Sequence, residues 1–85
     1  MKEFQYVITD ELGIHARPAG LLVKEAAKFT SDIKIKKGEK EVDAKRLFNI
    51  MGLAAKKGDV LVVTVEGADE SEAVEAIETF LKTNL

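Results

Sequence analysis

The chain has 85 residues and a formal net charge of −2, with 46% hydrophobic and 33% charged residues, which is typical of one globular domain spanning residues 1–85. A domain of this size buries only about 60–65% of the surface that its unfolded chain exposes, so we expect a surface site rather than a deep pocket. The acidic net charge argues against a nucleic-acid ligand.

The residue types that are missing or rare exclude several chemistries. With no cysteine and one histidine, the chain has no disulfide, no thiolate nucleophile and no zinc site of histidines and cysteines, and we expect neither a metal nor a cofactor. No apolar run approaches the roughly 20 residues of a membrane span, and the first residues lack the apolar stretch of a signal peptide. We therefore expect a cytoplasmic protein without direct membrane insertion.

The first two predicted elements are a strand and a helix. Residues 2–9 alternate, with Phe4, Tyr6 and Ile8 on one side, which predicts a half-buried strand. After a loop at residues 10–13, an amphipathic helix is predicted from about residue 15 or 16 to residue 29. Its apolar side consists of Ala19, Leu22, Ala26 and Phe29.

A hairpin and a short helix follow. Ile33 and Ile35 alternate with lysines, and a turn at residues 37–39 leads to a short partner strand at residues 40–42. Asp43 is of a residue type that caps helices, and we expect it to start the next one. This short helix contains Leu47, Phe48, Ile50 and Met51.

The remaining elements are a strand and the last helix. Residues 60–65 are almost all β-branched or apolar, which predicts a central strand. Asp69 and Glu72 have the spacing of a capping box at the start of the last helix, although Asp replaces the usual Ser or Thr. The resulting order β-α-β-β-α-β-α indicates an α+β fold in which helices cover one face of a sheet and the other face is open to water.

The segment Gly13–Ala19 carries the candidate chemistry. Pro18 needs no backbone N–H and therefore places the helix start close to residues 15–17. His15 then lies where backbone N–H groups have no helical acceptor, and these groups and the helix dipole favour an anion over an imidazolium. A neutral imidazole is a nucleophile, and Arg17 can clamp a phosphate, so Ala16, Arg17 and Pro18 would form a phosphate site beside it.

The same residues are also compatible with a purely structural role. A single histidine near a helix start is often only a surface or capping residue, and proline there means only that a helix begins. The combination of a nucleophile, an anion site and a guanidinium within three residues favours the phosphoryl-accepting role. From the residues alone, a structural role and a phosphoryl-accepting role are equally well supported.

The run Gly13–Ala19 also resembles the signature of the HPr family, the histidine-containing phosphocarriers of the phosphoenolpyruvate-dependent sugar phosphotransferase system. The likeness continues through residues 29–33, 44–48 and 67–70 and spans essentially the whole chain. It implies an open-faced β-sandwich in which four antiparallel strands, in the order 1-4-2-3, are covered on one face by three helices.

The resemblance also implies a function. His15 would accept a phosphoryl group on Nδ1 from phosphorylated enzyme I and pass it to sugar-specific IIA domains or proteins, with Arg17 stabilising the phosphate. Such a protein is a carrier that forms a phosphohistidine intermediate and not an enzyme acting on a free substrate. It needs no metal and no cofactor, and we expect it to be a monomer.

The predicted partner surface surrounds the short helix. In the family this helix docks onto partners, although we expect about half of its apolar residues to belong to the core. Exposed apolar residues edged by basic side chains, including Lys45, would suit acidic partners. The expected contact residues are Gly20, Lys24, Arg46, Leu47, Phe48 and Met51.

Arg46 is the main departure from the family pattern. Many members have a serine there, which in some bacteria a kinase phosphorylates for regulation, and Arg46 cannot accept that modification. A paralogue of the nitrogen branch or a regulatory paralogue would use the same histidine and remains an alternative. A small RNA- or ligand-binding module is disfavoured, because aromatic residues make up only 6% of the chain and no aromatic pair recurs on a further strand.

Overall fold

The computed structural model describes all residues 1–85. Its strands are β1 (Lys2–Val7), β2 (Asp32–Lys37), β3 (Lys40–Asp43) and β4 (Val60–Glu66), and its helices are α1 (Ala16–Ala26), α2 (Leu47–Gly52) and α3 (Glu70–Asn84). The predicted order β-α-β-β-α-β-α is therefore confirmed. No helix combines the length and the apolar character that crossing a membrane requires.

The four strands form one antiparallel sheet in the order β1-β4-β2-β3. Val63 of β4 lies opposite Phe4 of β1 on one side and opposite Ile35 of β2 on the other, so the strand with the strongest apolar character lies inside the sheet as predicted. This arrangement confirms the strand order that the resemblance implies.

The core lies between one face of the sheet and the helices. Along β4, Leu61, Val63 and Val65 are buried, whereas the residues between them are only partly covered. Alternation of this kind means that one face of the sheet packs against helices and the other meets water. The helices contribute Ala19, Leu22, Ala26, Ile50, Ala73, Ile77 and Leu81 to the buried set. The open-faced α+β sandwich is thus confirmed.

Helix α1 ends at Ala26 and not at Phe29 as predicted. The chain turns away because other elements bind the backbone that follows the helix. Nζ of Lys45 donates to the carbonyl of Phe29 at 2.7 Å, and the carboxylate of Asp69 accepts from the N–H groups of Thr30 and Ser31, each at 2.9 Å. These long-range bonds replace the hydrogen bonds of a further helical turn.

The predicted cap at Asp43 is wrong, and Asp69 takes the predicted N-cap position without the predicted side-chain bond. Arg46 is the N-cap of α2 and makes no side-chain cap bond, while Asp43 ends β3 and accepts from the N–H of Lys45 at 2.8 Å in a local turn. Asp69 is the N-cap of α3 but makes no cap bond, because its carboxylate is occupied by the α1–β2 connection. Its two oxygens accept three hydrogen bonds from that connection, which hold the carboxylate toward the start of β2 and away from the first turn of α3.

Asp69 links the start of α3 to the start of β2. The hydroxyl of Ser31 donates to it, as do the N–H groups of Thr30 and Ser31. These bonds favour the ionised carboxylate, and the Ser31 hydroxyl makes the largest contribution to lowering the pKa of Asp69 from 3.8 to about 2. The carboxylate is therefore fully charged in the folded protein at neutral pH.

Candidate functional site

The loop before α1 is held in place by the loop that follows α2. The N–H of Ile14 donates to the carbonyl of Ala55 at 3.0 Å. At the preceding residue, Gly13, φ is +66°, and an added Cβ would collide with that same carbonyl and lie 2.8 Å from Cα of Lys56. A left-handed backbone at such close range admits only glycine, so Gly13 fixes the direction in which the chain enters α1.

His15 is the N-cap of α1 and keeps its ring free. Its backbone is extended, with φ −117° and ψ −178°, and its carbonyl accepts the first helical bond, from the N–H of Ala19 at 2.9 Å. The imidazole makes no cap bond, and the first turn contains no acidic residue. The N–H groups of Ala16 and Arg17 have no acceptor within the helix, whereas Pro18 has no N–H to satisfy. The end of α1 therefore favours an anion beside the ring.

His15 and Arg17 line one cavity of about 250 Å³, together with Pro18, Leu21 and Asn84. His15 is half-buried and Arg17 is exposed, so the ring is held in place yet open to a guest. The five ion pairs of the molecule all lie elsewhere, which leaves the guanidinium of Arg17 without a carboxylate partner. An unpaired guanidinium beside a free imidazole suits an incoming anion.

A second, larger cavity of about 480 Å³ lies between α1 and α3. Its lining includes the carboxylates of Glu25, Glu72 and Glu75, which repel an anion. The residues of the chain form no group of three metal-ligating side chains. An acceptor site for an anionic group therefore fits the smaller cavity at the start of α1.

Helix α2 presents an apolar surface to water. Phe48 is 87% exposed, and Leu47 and Met51 are each about 40% exposed, while Ile50 packs into the core. The expectation that about half of these apolar residues belong to the core is wrong, because a helix of six residues buries only the side from which Ile50 projects. Phe48 is the most exposed of the large hydrophobic residues in the chain.

The other predicted contact residues also lie at the surface. Lys24 in the last turn of α1 and Arg46 before α2 are exposed, and α1 packs against α2. Gly20 lies within α1 with no atom within 4 Å of an added Cβ, so no neighbour in the chain requires a glycine there. Lys45 differs from these, because its ammonium group is bound to the carbonyl of Phe29.

Asn84 and Leu21 line the cavity although sequence reasoning did not assign them to it. Leu21 is 43% exposed on α1, one turn beyond Arg17, and helical spacing from Arg17 could have identified it. Asn84 is the last residue of α3, and nothing near it in the sequence indicates that α3 ends beside the start of α1.

Comparison with known proteins identifies the family to which this site belongs. The family model described as the phosphorylation site of the HPr component of the phosphotransferase system (PTS) matches residues 2–83. The chain belongs to the HPr family. It is 42% identical to the phosphocarrier protein HPr of Mycoplasma capricolum, over 100% of this chain and 97% of that protein.

Two further HPr proteins show the same relationship. The phosphocarrier protein HPr of Lysinibacillus sphaericus is 46% identical over 95% of this chain and 92% of its own length. The crystal structure of HPr from Thermoanaerobacter tengcongensis superposes with a TM-score of 0.93 at 41% identity, over 98% of this chain and 93% of that one. The chain is therefore a phosphocarrier of the HPr type, and nearly its whole length adopts the HPr fold.

Proposed function

We propose that this HPr-family chain accepts a phosphoryl group from phosphorylated enzyme I on Nδ1 of His15 and transfers it to IIA components of the phosphotransferase system. The observation that carries this proposal is the position of the imidazole. The ring is free of cap bonds at the N-terminus of α1 and shares a small cavity with an unpaired guanidinium.

The transfer is a simple exchange of bonds at phosphorus. The lone pair on Nδ1 of neutral His15 attacks the phosphoryl group, and an N–P bond forms as the bond between phosphorus and the donor atom breaks. The donor keeps the electron pair of the broken bond, and the proton of the imidazole stays on Nε2. In the second transfer the nucleophile of a IIA component attacks phosphorus, and the electron pair returns to Nδ1.

The surroundings of His15 would stabilise the transferred group. The N–H groups of Ala16 and Arg17 and the dipole of α1 act on a phosphoryl group attached to the ring, and the dipole alone is worth about 0.3–1 kcal/mol at such a site. The guanidinium of Arg17 adds charge-assisted hydrogen bonds of about 1.5–3 kcal/mol. Phosphoryl transfer depends mostly on positioning and charge stabilisation, so a site open to solvent is sufficient.

The partner surface of the proposal surrounds this cavity. The exposed apolar residues Leu47, Phe48 and Met51 of α2 would contact partners, with Gly20 allowing close approach and with Lys24 and Arg46 facing acidic groups. Exchange of Arg46 for serine tests the charge part of this proposal. We expect slower transfer and a weaker dependence on salt, and unchanged rates at every salt concentration would remove Arg46 from the surface.

The central experiment is incubation of the protein with phosphoenolpyruvate and enzyme I, followed by mass spectrometry of the intact chain. We expect one added phosphoryl group that is labile to acid, absent from His15→Ala and passed on when a IIA protein is added. A stable phosphate on His15→Ala would overturn the assignment. We further propose that the carrier is cytoplasmic and acts as a monomer; light scattering of the phosphorylated protein would test the monomeric state, and cell fractionation would test the location.

We also propose that the chain lacks the serine-linked regulatory branch, because Arg46 has no hydroxyl group. Incubation with ATP and the kinase that modifies serine-containing members should leave the mass of the chain unchanged. The variant Arg46→Ser is the matched positive control, since it restores the hydroxyl group at the same position. Stoichiometric phosphate on a serine of the unaltered chain would refute this proposal.

A further inference from the structure

The last residue of α3 reaches the cavity of His15 from the opposite end of the chain. Asn84 lines this cavity together with His15, Arg17, Pro18 and Leu21, and it is half-buried. Pro18 and Leu21 have apolar side chains, so Asn84 adds an uncharged amide to the imidazole and the guanidinium of the lining. Its amide can therefore bind a neighbouring group in this cavity.

The orientation of the Asn84 amide follows from its contact with the backbone. Its Nδ2 donates to the carbonyl of Phe80 at 3.1 Å. A carbonyl only accepts hydrogen bonds, so the nitrogen and not the oxygen of the amide must face it. The oxygen Oδ1 makes no hydrogen bond within the chain and is available as an acceptor.

Arg17 supplies the complementary group. Its guanidinium carries five N–H donors and forms none of the ion pairs in the molecule, and Arg17 lines the same small cavity as Asn84. A phosphoryl group is rich in oxygen acceptors and would gain nothing from Oδ1. Within this cavity, an amide oxygen therefore suits Arg17 and not the phosphoryl group.

We propose that Asn84 is a positioning residue for phosphoryl transfer: during transfer its Oδ1 would accept a hydrogen bond from the guanidinium of Arg17, a bond that the free protein does not form, and would hold that group beside His15. This inference rests on the proposed function of His15 and Arg17 and adds the residue that orients the clamp. One bond to an amide leaves most of the N–H donors of the guanidinium for the phosphoryl oxygens.

The neutrality of Asn84 matters as much as its oxygen. Asn84 also lines the neighbouring cavity, which contains the carboxylates of Glu25, Glu72 and Glu75. A carboxylate at position 84 would extend this negative region to the phosphoryl site and would pair with Arg17 in competition with the phosphate. An amide orients Arg17 without adding charge.

The test compares Asn84→Ala and Asn84→Asp with the matched control Thr83→Asp. Thr83 lies in the same last turn of α3 and lines only the carboxylate-rich cavity, so its replacement adds the same charge to the same helix end. We expect Asn84→Asp to slow phosphorylation by enzyme I about tenfold, equivalent to about 1.4 kcal/mol of activation free energy. Asn84→Ala should slow it by a smaller factor, and Thr83→Asp should stay within twofold of the unaltered chain.

A double-mutant cycle measures the coupling between Asn84 and Arg17 in the phosphorylation rate, which a purely structural role of Asn84 would not produce. If Asn84 acts through Arg17, Asn84→Ala should have no further effect on the rate or on the phosphohistidine lifetime in an Arg17→Ala background. An undiminished effect in that background, equal slowing by Thr83→Asp, or unchanged rates in both Asn84 variants would overturn the proposal. Failure of the unaltered chain to be phosphorylated would instead overturn the proposed function and this role with it.

Discussion

Replacement of Gly20 by alanine should stabilise the protein and slow its reaction with partners. Gly20 lies inside α1, and an added Cβ meets no atom within 4 Å, so the substitution causes no collision. Glycine in an exposed helix interior costs about 0.8–1.0 kcal/mol relative to alanine. We therefore expect the free energy of unfolding to rise by about 1 kcal/mol. With a urea m-value of about 1 kcal/mol/M for a small domain, the unfolding midpoint should rise by about 1 M.

Gly38 provides a control with the opposite sign. It also has no atom within 4 Å of an added Cβ, but its φ is +61° in the two-residue turn between β2 and β3. Alanine in a left-handed conformation costs about 1–2 kcal/mol, which outweighs the gain of about 0.4–1 kcal/mol from a stiffer unfolded chain. Gly38→Ala should therefore lower the unfolding midpoint.

Urea unfolding of both variants, followed by circular dichroism, decides the stability argument. A loss of stability in Gly20→Ala, or a gain in Gly38→Ala, would refute the reasoning from backbone conformation. Phosphorylation rates of the same samples address the partner surface. A more stable Gly20→Ala protein with slower transfer from enzyme I would mean that the glycine serves the approach of partners, whereas equal rates would remove Gly20 from that surface.

Three further variants test other parts of the molecule. Asp69→Asn should lower the free energy of unfolding at neutral pH. This loss relative to the unaltered chain should shrink as pH falls from about 4 to 2, because the pKa of Asp69 is lowered to about 2 and protonation removes the stability that the ionised carboxylate contributes. Urea unfolding at several pH values measures the difference. Arg17→Ala should fold normally and slow phosphoryl transfer about 10- to 100-fold in rapid-quench assays. Phe48→Ser should change the unfolding free energy by less than about 0.5 kcal/mol and raise the KM for the carrier about tenfold in steady-state assays.

Each of these predictions has an outcome that contradicts it. A stability difference for Asp69→Asn that is the same at pH 7 and pH 2 would mean that the charge of the carboxylate is irrelevant. Normal transfer by Arg17→Ala would remove the guanidinium from the mechanism. A large loss of stability in Phe48→Ser would show that the ring belongs to the core. Leu12→Ser, which removes an exposed apolar side chain from the loop between β1 and α1, is the control.

The fold could be predicted because its strands and helices carry strong local patterns. Alternation around Phe4, Ile33 and Ile35 marks two half-buried strands, and the apolar run at residues 60–65 marks the inner strand. The end of α1, the cap of α2 and the partners of the Asp69 carboxylate at the cap of α3 could not be predicted. Asp69 has the spacing of a local cap, yet its carboxylate bonds to residues 38 and 39 positions away, and no local pattern reveals such a partner.

The candidate site was only partly predictable for the same reason. Pro18 locates the helix start, and so the neighbourhood of His15 and Arg17 follows from the sequence. The contact of the Gly13 loop with Ala55 and the arrival of Asn84 at the cavity depend on how distant segments pack. The exposure of Phe48 also depends on packing, because apolar residues in a short helix are equally compatible with a core and with a surface.

The small size of the molecule limits how donor and acceptor proteins could bind it during phosphoryl transfer. The whole chain exposes 5032 Å², and Phe48 lies on the helix beside the one from which His15 and Arg17 reach solvent. A stable complex covers about 800 Å² on each partner, which here is a large share of the total. Because donor and acceptor would both have to reach His15, they would have to bind this face one after the other, and an excess of either partner should slow transfer by occupying the carrier.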